Sequence, residues 1–218
     1  MIWSWEYTLR VLPDILRAFV VTLEATLAGF VLAALLGLVW AVVRMAPFVW
    51  LSRGAFWIVE FVRSTPLLIQ LYFLYYVLPK YGISLSPLAI GILALGVHYS
   101  CYTAEVYRAG IEAVPRGQWE AARALSLSGG AIWRRIVLPQ ALPPTLPILG
   151  NYLIAMFKDT PLLAAITVME MLQTAKLIGA ESFRYLEPLT ITGVVFLAVS
   201  LAASYAVRSL ETRHAIHR

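Results

Sequence analysis

From Ala18 to Val43 the chain runs for 26 residues with one charge, Glu24. A helix needs about 20 apolar residues to cross the hydrocarbon core of a bilayer, so this run is long enough to span. A secretory signal is the competing reading. Its apolar core would be only ~7–15 residues, and it would not be preceded by Glu6 and Asp14 as well as Arg10 and Arg17. The segment is expected to stay attached. Composition agrees: 61% hydrophobic and 13% charged residues lie far from the roughly 45–50% and 25% of soluble domains. The 7 Trp and 11 Tyr supply interface anchors, and the single cysteine, Cys101, excludes a disulfide scaffold.

Four further segments have span character: about Gly54 to Val77, Leu88 to Val106, Ala141 to about Ile166, and Pro188 to Val207. Five spans predict an all-α integral membrane protein with its termini on opposite sides. Placing the loop after the first span in the cytoplasm puts ten Arg inside, namely Arg44, Arg53, Arg108, Arg116, Arg123, Arg134, Arg135, Arg208, Arg213 and Arg218. Arg10, Arg17, Lys80, Lys176 and Arg184 are then outside. The positive-inside rule therefore predicts an outside N-terminus and a cytoplasmic C-terminus. This distribution also accounts for the net charge of +5, so no nucleic-acid partner is needed.

Two spans carry a proline after threonine, which removes a backbone donor and pushes the preceding residue out of the helical region. The surroundings nearly repeat: Arg63-Ser64-Thr65-Pro66-Leu67-Leu68 and Lys158-Asp159-Thr160-Pro161-Leu162-Leu163, 95 residues apart. Six residues do not establish a duplication, yet broken helices in corresponding halves point to a transport site.

Between the third and fourth spans lies a basic loop, 108–140, flanked by Pro115 and Pro139. Trp119 to Leu127 is rich in helix formers, Ser128-Gly129-Gly130 is expected to stop it, and Ala131 to Val137 forms a second short helix. Exposed Ala121 and Ala122 would permit close approach by a cytoplasmic partner. The alternative is an amphipathic helix on lipid headgroups, helped by Arg134 and Arg135.

Glu120-Ala121-Ala122, followed by Gly130, Ile136, Leu138 and Pro139, resembles the EAA loop of ABC-importer permeases. Arg63-Ser64-Thr65-Pro66-Leu67, Ala104-Glu105-Val106-Tyr107-Arg108-Ala109-Gly110-Ile111, Pro115-Arg116-Gly117-Gln118 and Leu138-Pro139-Gln140-Ala141 are similar to the polar-amino-acid permeases. The resemblance covers nearly the whole chain and implies one type I importer transmembrane domain over 1–218, in a bacterial cytoplasmic membrane. It also implies that 108–140 is the ATPase-coupling segment, with Arg116, Gly117, Glu120, Ala121, Ala122, Ser126 and Gly130 as its working residues. Two positions depart from the family pattern: Ser126 and Ser64 stand where glycine is usual. Within the family, 157–166 and Phe183-Arg184-Tyr185-Leu186-Glu187-Pro188 resemble permeases for ectoine and hydroxyectoine; a general polar or basic amino-acid permease is the alternative.

None of the lysines, Lys80, Lys158 and Lys176, follows a glycine, so the chain has no phosphate loop. Leu127-Ser128-Gly129-Gly130 spells most of an ATPase signature but has no domain to serve. No cofactor is expected here; the resemblance places ATP and Mg on a partner ATPase dimer, whose closure would move the Glu120 helix and tilt the spans from inward-facing to outward-facing. It adds an extracytoplasmic binding protein and a second permease subunit, identical or related, with lipid around them. No metal site is expected: His214 and His217 sit in a basic tail. Nor is a catalytic site: His98, Ser100 and Cys101 on one helix make no oriented nucleophile. A membrane enzyme or a passive channel is thus the poorer reading.

Charges within spans default to functional hypotheses. Glu60 and Arg63, three apart, suit mutual pairing. Lys158 and Asp159, if a break at Thr160-Pro161 turned both to a cavity, would complement a zwitterion. Gln70, Tyr99, Tyr102 and Thr160 could add hydrogen bonds, and tyrosine faces suit a delocalised cation. For each tyrosine, packing between helices or an interfacial belt is the competing role.

Overall fold

The computed structural model describes residues 3–215. His217 and Arg218 lie outside the described residues, as do the side chains of Arg213 and His214. The first helix, α1, is Trp5–Arg44, far longer than the apolar run that predicts it. Its charged first turns continue the helix, with Arg10 pairing along it to Glu6 at 3.3 Å and Arg17 to Asp14 at 3.2 Å. Ser4 caps it, accepting from the Tyr7 amide at 3.3 Å.

Every fourth residue of α1 along one line is small and buried: Ala25, Gly29, Ala33, Gly37 and Ala41. A seam of this kind lets two backbones approach closely inside a membrane, and α4, Pro87–Glu112, fills it. Leu95 meets Gly29, Thr103 meets Gly37, and the Thr103 hydroxyl donates to the Ala33 carbonyl at 2.9 Å. The two helices therefore run parallel. A Cβ at Gly37 would collide with Thr103 Oγ1 and stand 2.9 Å from the Ser100 carbonyl oxygen. Gly37→Ala should therefore lower stability by about 1–3 kcal/mol, the usual cost of overpacking. Gly54→Ala, inside α2 where a Cβ meets nothing within 4 Å, should hold or raise the melting midpoint in detergent; equal midpoints for both variants would contradict the tight seam.

The second expected span is two helices, α2 (Val49–Ser64) and α3 (Leu67–Tyr76). With a short 3-10 turn over Leu78–Tyr81, the second arm lies at 98° to the first. Pro66 holds Thr65 extended at φ −100°, ψ 136°, and the freed carbonyls find new donors. Thr65 Oγ1 donates back to Val62 O at 3.0 Å, while Gln70 Nε2 donates to Val62 O at 2.8 Å and Thr65 O at 3.1 Å.

The basic segment forms α5 (Arg116–Ala124) and α6 (Gly129–Ile132), and leads through a π turn, Trp133–Val137, into α7 (Leu138–Asp159). The chain does not break sharply at Thr160-Pro161. Thr160 keeps helical angles and Pro161 sits early in a 3-10 continuation, Thr160–Ile166, where its missing N–H costs little. The 47° bend falls later, where Thr167 turns left-handed at φ 63° before α8 (Met171–Ser182). Glu170, fully buried, caps α8 by accepting from the Leu172 and Gln173 amides at 2.8 and 2.7 Å.

The last helix, α9, is Leu186–Ala215. Among the described residues α1, α4 and α9 are each long and apolar enough to cross a membrane, and the two bent pairs bring the number to five only if each counts as one span. At the bundle end away from the basic segment, Ser4 N donates to Glu187 at 3.1 Å and Tyr7 to Ser182 at 2.6 Å. There the start of α1 is fastened to the α8–α9 corner.

Candidate functional site

α4 and α7 pack antiparallel, with Gly110 against Ala141 and Gly91 against Leu163. Halfway along α4, Tyr99 therefore meets the end of α7, and its hydroxyl donates to Asp159 Oδ2 at 2.7 Å. Tyr102, one turn on, lies 6.0 Å from Tyr99 between ring centres, and Tyr152 of α7 lies 6.2 and 5.6 Å from Tyr99 and Tyr102. His98 stacks beside both α4 tyrosines at 5.7 and 5.3 Å, its Nδ1 buried and unpartnered among the described residues. The result is one carboxylate walled by three phenol rings and an imidazole. Such a site attracts a cationic group, because the carboxylate and the ring faces carry the same sign of potential.

One residue links this wall to a second cluster. The Arg63 guanidinium stands 5.2 Å over the Tyr102 ring, 3.0 Å from Glu60 and 3.9 Å from Glu105. Glu105 also accepts from Arg44 of α1 and, at 3.0 Å, from Arg108, whose other arm reaches Glu112 at 2.6 Å. Three arginines and three glutamates thus tie α1, α2 and α4 together beside the basic segment.

The residues singled out in the sequence divide. Tyr99, Tyr102 and Asp159 come together. Lys158 does not join them: consecutive helical residues point about 100° apart, and with α7 regular through Asp159, Lys158 is left exposed on a neighbouring face. Gln70 is occupied in sealing the α2–α3 bend, and Thr160 is buried with its hydroxyl on Phe157 O at 2.7 Å. Thr65 and Thr160 thus make the same back-bond, each to the carbonyl three residues earlier. Tyr152 joins Tyr99 and Tyr102, and its signal in the sequence is its spacing, seven residues before Asp159, two helical turns on one face. Glu60 and Arg63 pair as their spacing suggests.

In the basic segment, Arg116, Trp119, Glu120 and Arg123 line an open cleft of ≈ 390 Å³. Ala121 is exposed, but Ala122 is not. It packs at 3% exposure against Ile111, Val114, Ile132, Val137 and Ala141, because that face of α5 covers the foot of the bundle. Ser128-Gly129-Gly130 does not end the first helix. Ser128 caps the second, accepting from the Ala131 amide at 3.4 Å. The stop is Ser126, left-handed at φ 53°, a conformation that costs an L-residue roughly 1–2 kcal/mol and glycine almost nothing. A Cβ added to Gly117, Gly129 or Gly130 meets nothing within 4 Å, so their smallness serves no contact inside this chain.

Comparison with known proteins gives a consistent result. Residues 29–215 match the family described as the binding-protein-dependent transport system inner membrane component. A probable amino-acid ABC transporter permease protein, y4tG of Sinorhizobium fredii, is 45% identical over 205 residues, covering 94% of this chain and 89% of its own. The glutamate/aspartate import permease protein GltK of Escherichia coli is 31% identical, covering 97% and 98%. The arginine transport system permease protein ArtQ of Bacillus subtilis is 30% identical, covering 96% of each. A crystal structure of an amino acid ABC transporter with histidines superimposes with a TM-score of 0.90 at 31% identity, covering 98% of this chain and all of that one.

Proposed function

The chain belongs to the family of inner-membrane components of binding-protein-dependent transport systems, and from this premise we propose that a zwitterionic solute crosses the membrane past its Asp159. It is a permease subunit of an amino-acid ABC transporter, and ATP hydrolysis is the work of a separate ATPase. Importers of this kind act with that ATPase and a substrate-binding protein. The finer reading is that the solute is a polar amino acid or a compatible solute of the ectoine type, whose cationic end is delocalised. The Tyr99–Asp159 bond within the three-tyrosine wall carries this reading. The cationic end of the solute takes the place of the tyrosine hydroxyl on Asp159, and ring faces stack on its plane. The carboxylate at the wall favours such a solute over an acidic amino acid.

Purified complex in vesicles, supplied with ATP and its binding protein, should accumulate labelled ectoine, with arginine a weaker competitor and glutamate inert. Uptake of glutamate in preference to both would overturn the assignment.

The basic segment faces the cytoplasm in this reading, and α5 with the cleft around Glu120 seats against the ATPase. Cysteines introduced at Ser84 and Thr212, both exposed, should then react with an impermeant maleimide from opposite sides, Ser84 from outside. Equal labelling of both from outside would refute the orientation.

A further inference from the structure

Arg63 stands between the aromatic wall around Asp159 and the ion-pair cluster beside the basic segment. It is the penultimate residue of α2, just before the chain turns through 98°. Two carboxylates are within its reach, Glu60 on its own helix at 3.0 Å and Glu105 on α4 at 3.9 Å. Its Nε is buried and bonds neither, so the guanidinium has an unused donor. Its flat face lies on Tyr102, which touches both Tyr99 and Tyr152 around Asp159. On the other side, Glu105 already accepts from Arg44 and Arg108, and Arg108 holds Glu112, four residues before α5 begins. A contiguous run of contacts therefore leads from Asp159 to the foot of the basic segment. Contiguity alone does not transmit anything; a discrete element with two arrangements must lie on the path. Arg63, with one guanidinium nitrogen facing a carboxylate on each of two helices, is placed to be such an element.

We propose that Arg63 is a positioning residue of the transport cycle, which steadies Tyr102 at the pore site and passes its guanidinium between Glu60 and Glu105 as α2 moves against α4. With Arg63 on Glu60, α2 is self-contained and free of the α1–α4 pair. With Arg63 on Glu105, the bend is latched to that pair and the aromatic wall is held with it. Lysine cannot replace arginine here, because a point charge loses the flat surface that lies on Tyr102. The inference rests on the permease reading but not on the identity of the solute.

Cys101, the chain's single cysteine, is a built-in reporter. It is buried at 1% exposure on α4, within electrostatic reach of Arg44, Glu60 and Arg63. The test follows its alkylation by N-ethylmaleimide in the complete importer, read from the mass of the Cys101 peptide, without nucleotide and with ADP and vanadate. Wild type should change rate at least fivefold between the two conditions. Glu60→Gln, which leaves Glu105 as the only carboxylate partner, should label slowly in both. Glu105→Gln, which leaves only Glu60, should label about tenfold faster than Glu60→Gln in both. Arg63→Lys should lose the difference between conditions while basal ATP hydrolysis stays within twofold. A merely structural role would raise the rate in both Gln variants, and that result, or a wild-type rate indifferent to nucleotide, overturns the proposal. Asp159→Asn serves as the separate control. If it transports normally while the Gln variants diverge, the pore-site reading fails and the role of Arg63 stands.

Discussion

Asp159→Asn should lower uptake by ten- to a hundredfold while the complex assembles and hydrolyses ATP at its basal rate. The substitution keeps the shape and one acceptor for the Tyr99 hydroxyl, now 2.7 Å from the carboxylate, so the helix contact survives. What disappears is the negative charge. A hydrogen bond to a charged group contributes about 1.5–3 kcal/mol, and each 1.4 kcal/mol is a factor of about ten, which sets the expected range. Tyr99→Phe should cost much less, because the ring face remains and the carboxylate gains a free lone pair. Uptake of a zwitterion at wild-type rate by Asp159→Asn, at equal membrane abundance, would show that this carboxylate serves only to join α4 to α7.

Gly117→Trp and Glu120→Lys should each reduce co-purification of the ATPase by more than tenfold without lowering membrane insertion. The reason lies in what the glycine does not touch. An added side chain at position 117 meets nothing of this chain within 4 Å, so its bulk is felt only by a partner seated there. Glu120 is exposed at the cleft between Arg116 and Arg123, and reversing its sign leaves three cations together and removes the carboxylate that the cleft offers a partner. Gly130→Trp is the graded case, since its site is equally open but lies on the second short helix. Normal ATPase recovery with all three would move the docking surface elsewhere.

Much of this arrangement is visible in local sequence, and the reasons for the rest are specific. The span in α1 is legible because a 26-residue run with one charge needs no partner to be recognised. The bend at Thr65-Pro66 is legible because proline acts on its own neighbour. The same dipeptide at Thr160-Pro161 misleads, because a 3-10 continuation accommodates proline in its first positions, and the turn passes to Thr167. Arg44 reads as a topology marker until Glu105 arrives from 61 residues away, and no local pattern announces that pairing. Ser128 misleads for a different reason: serine and glycine punctuate either end of a helix, and only the neighbouring Ser126 shows where the first one stops. Lys158 and Asp159 look like a pair in one dimension, but a regular helix separates them.

The small-residue seam of α1 also dictates an order of manufacture. Ala33 and Thr103 are 70 residues apart, so at ~5–20 residues per second of synthesis α1 waits about 4 to 14 s in the bilayer before α4 emerges. It can wait, since it is the most apolar of the long helices. α4 cannot do the same: it is the least apolar of the three and the most enclosed, and it brings His98, Ser100, Thr103 and Glu105 with it. The groove left by Ala25, Gly29, Ala33, Gly37 and Ala41 is thus a pre-built berth into which α4 leaves the insertion machinery. A ribosome paused before residue 103 would leave a stable stub, whereas a chain lacking α1 would hand quality-control proteases an α4 stripped of its small-residue berth.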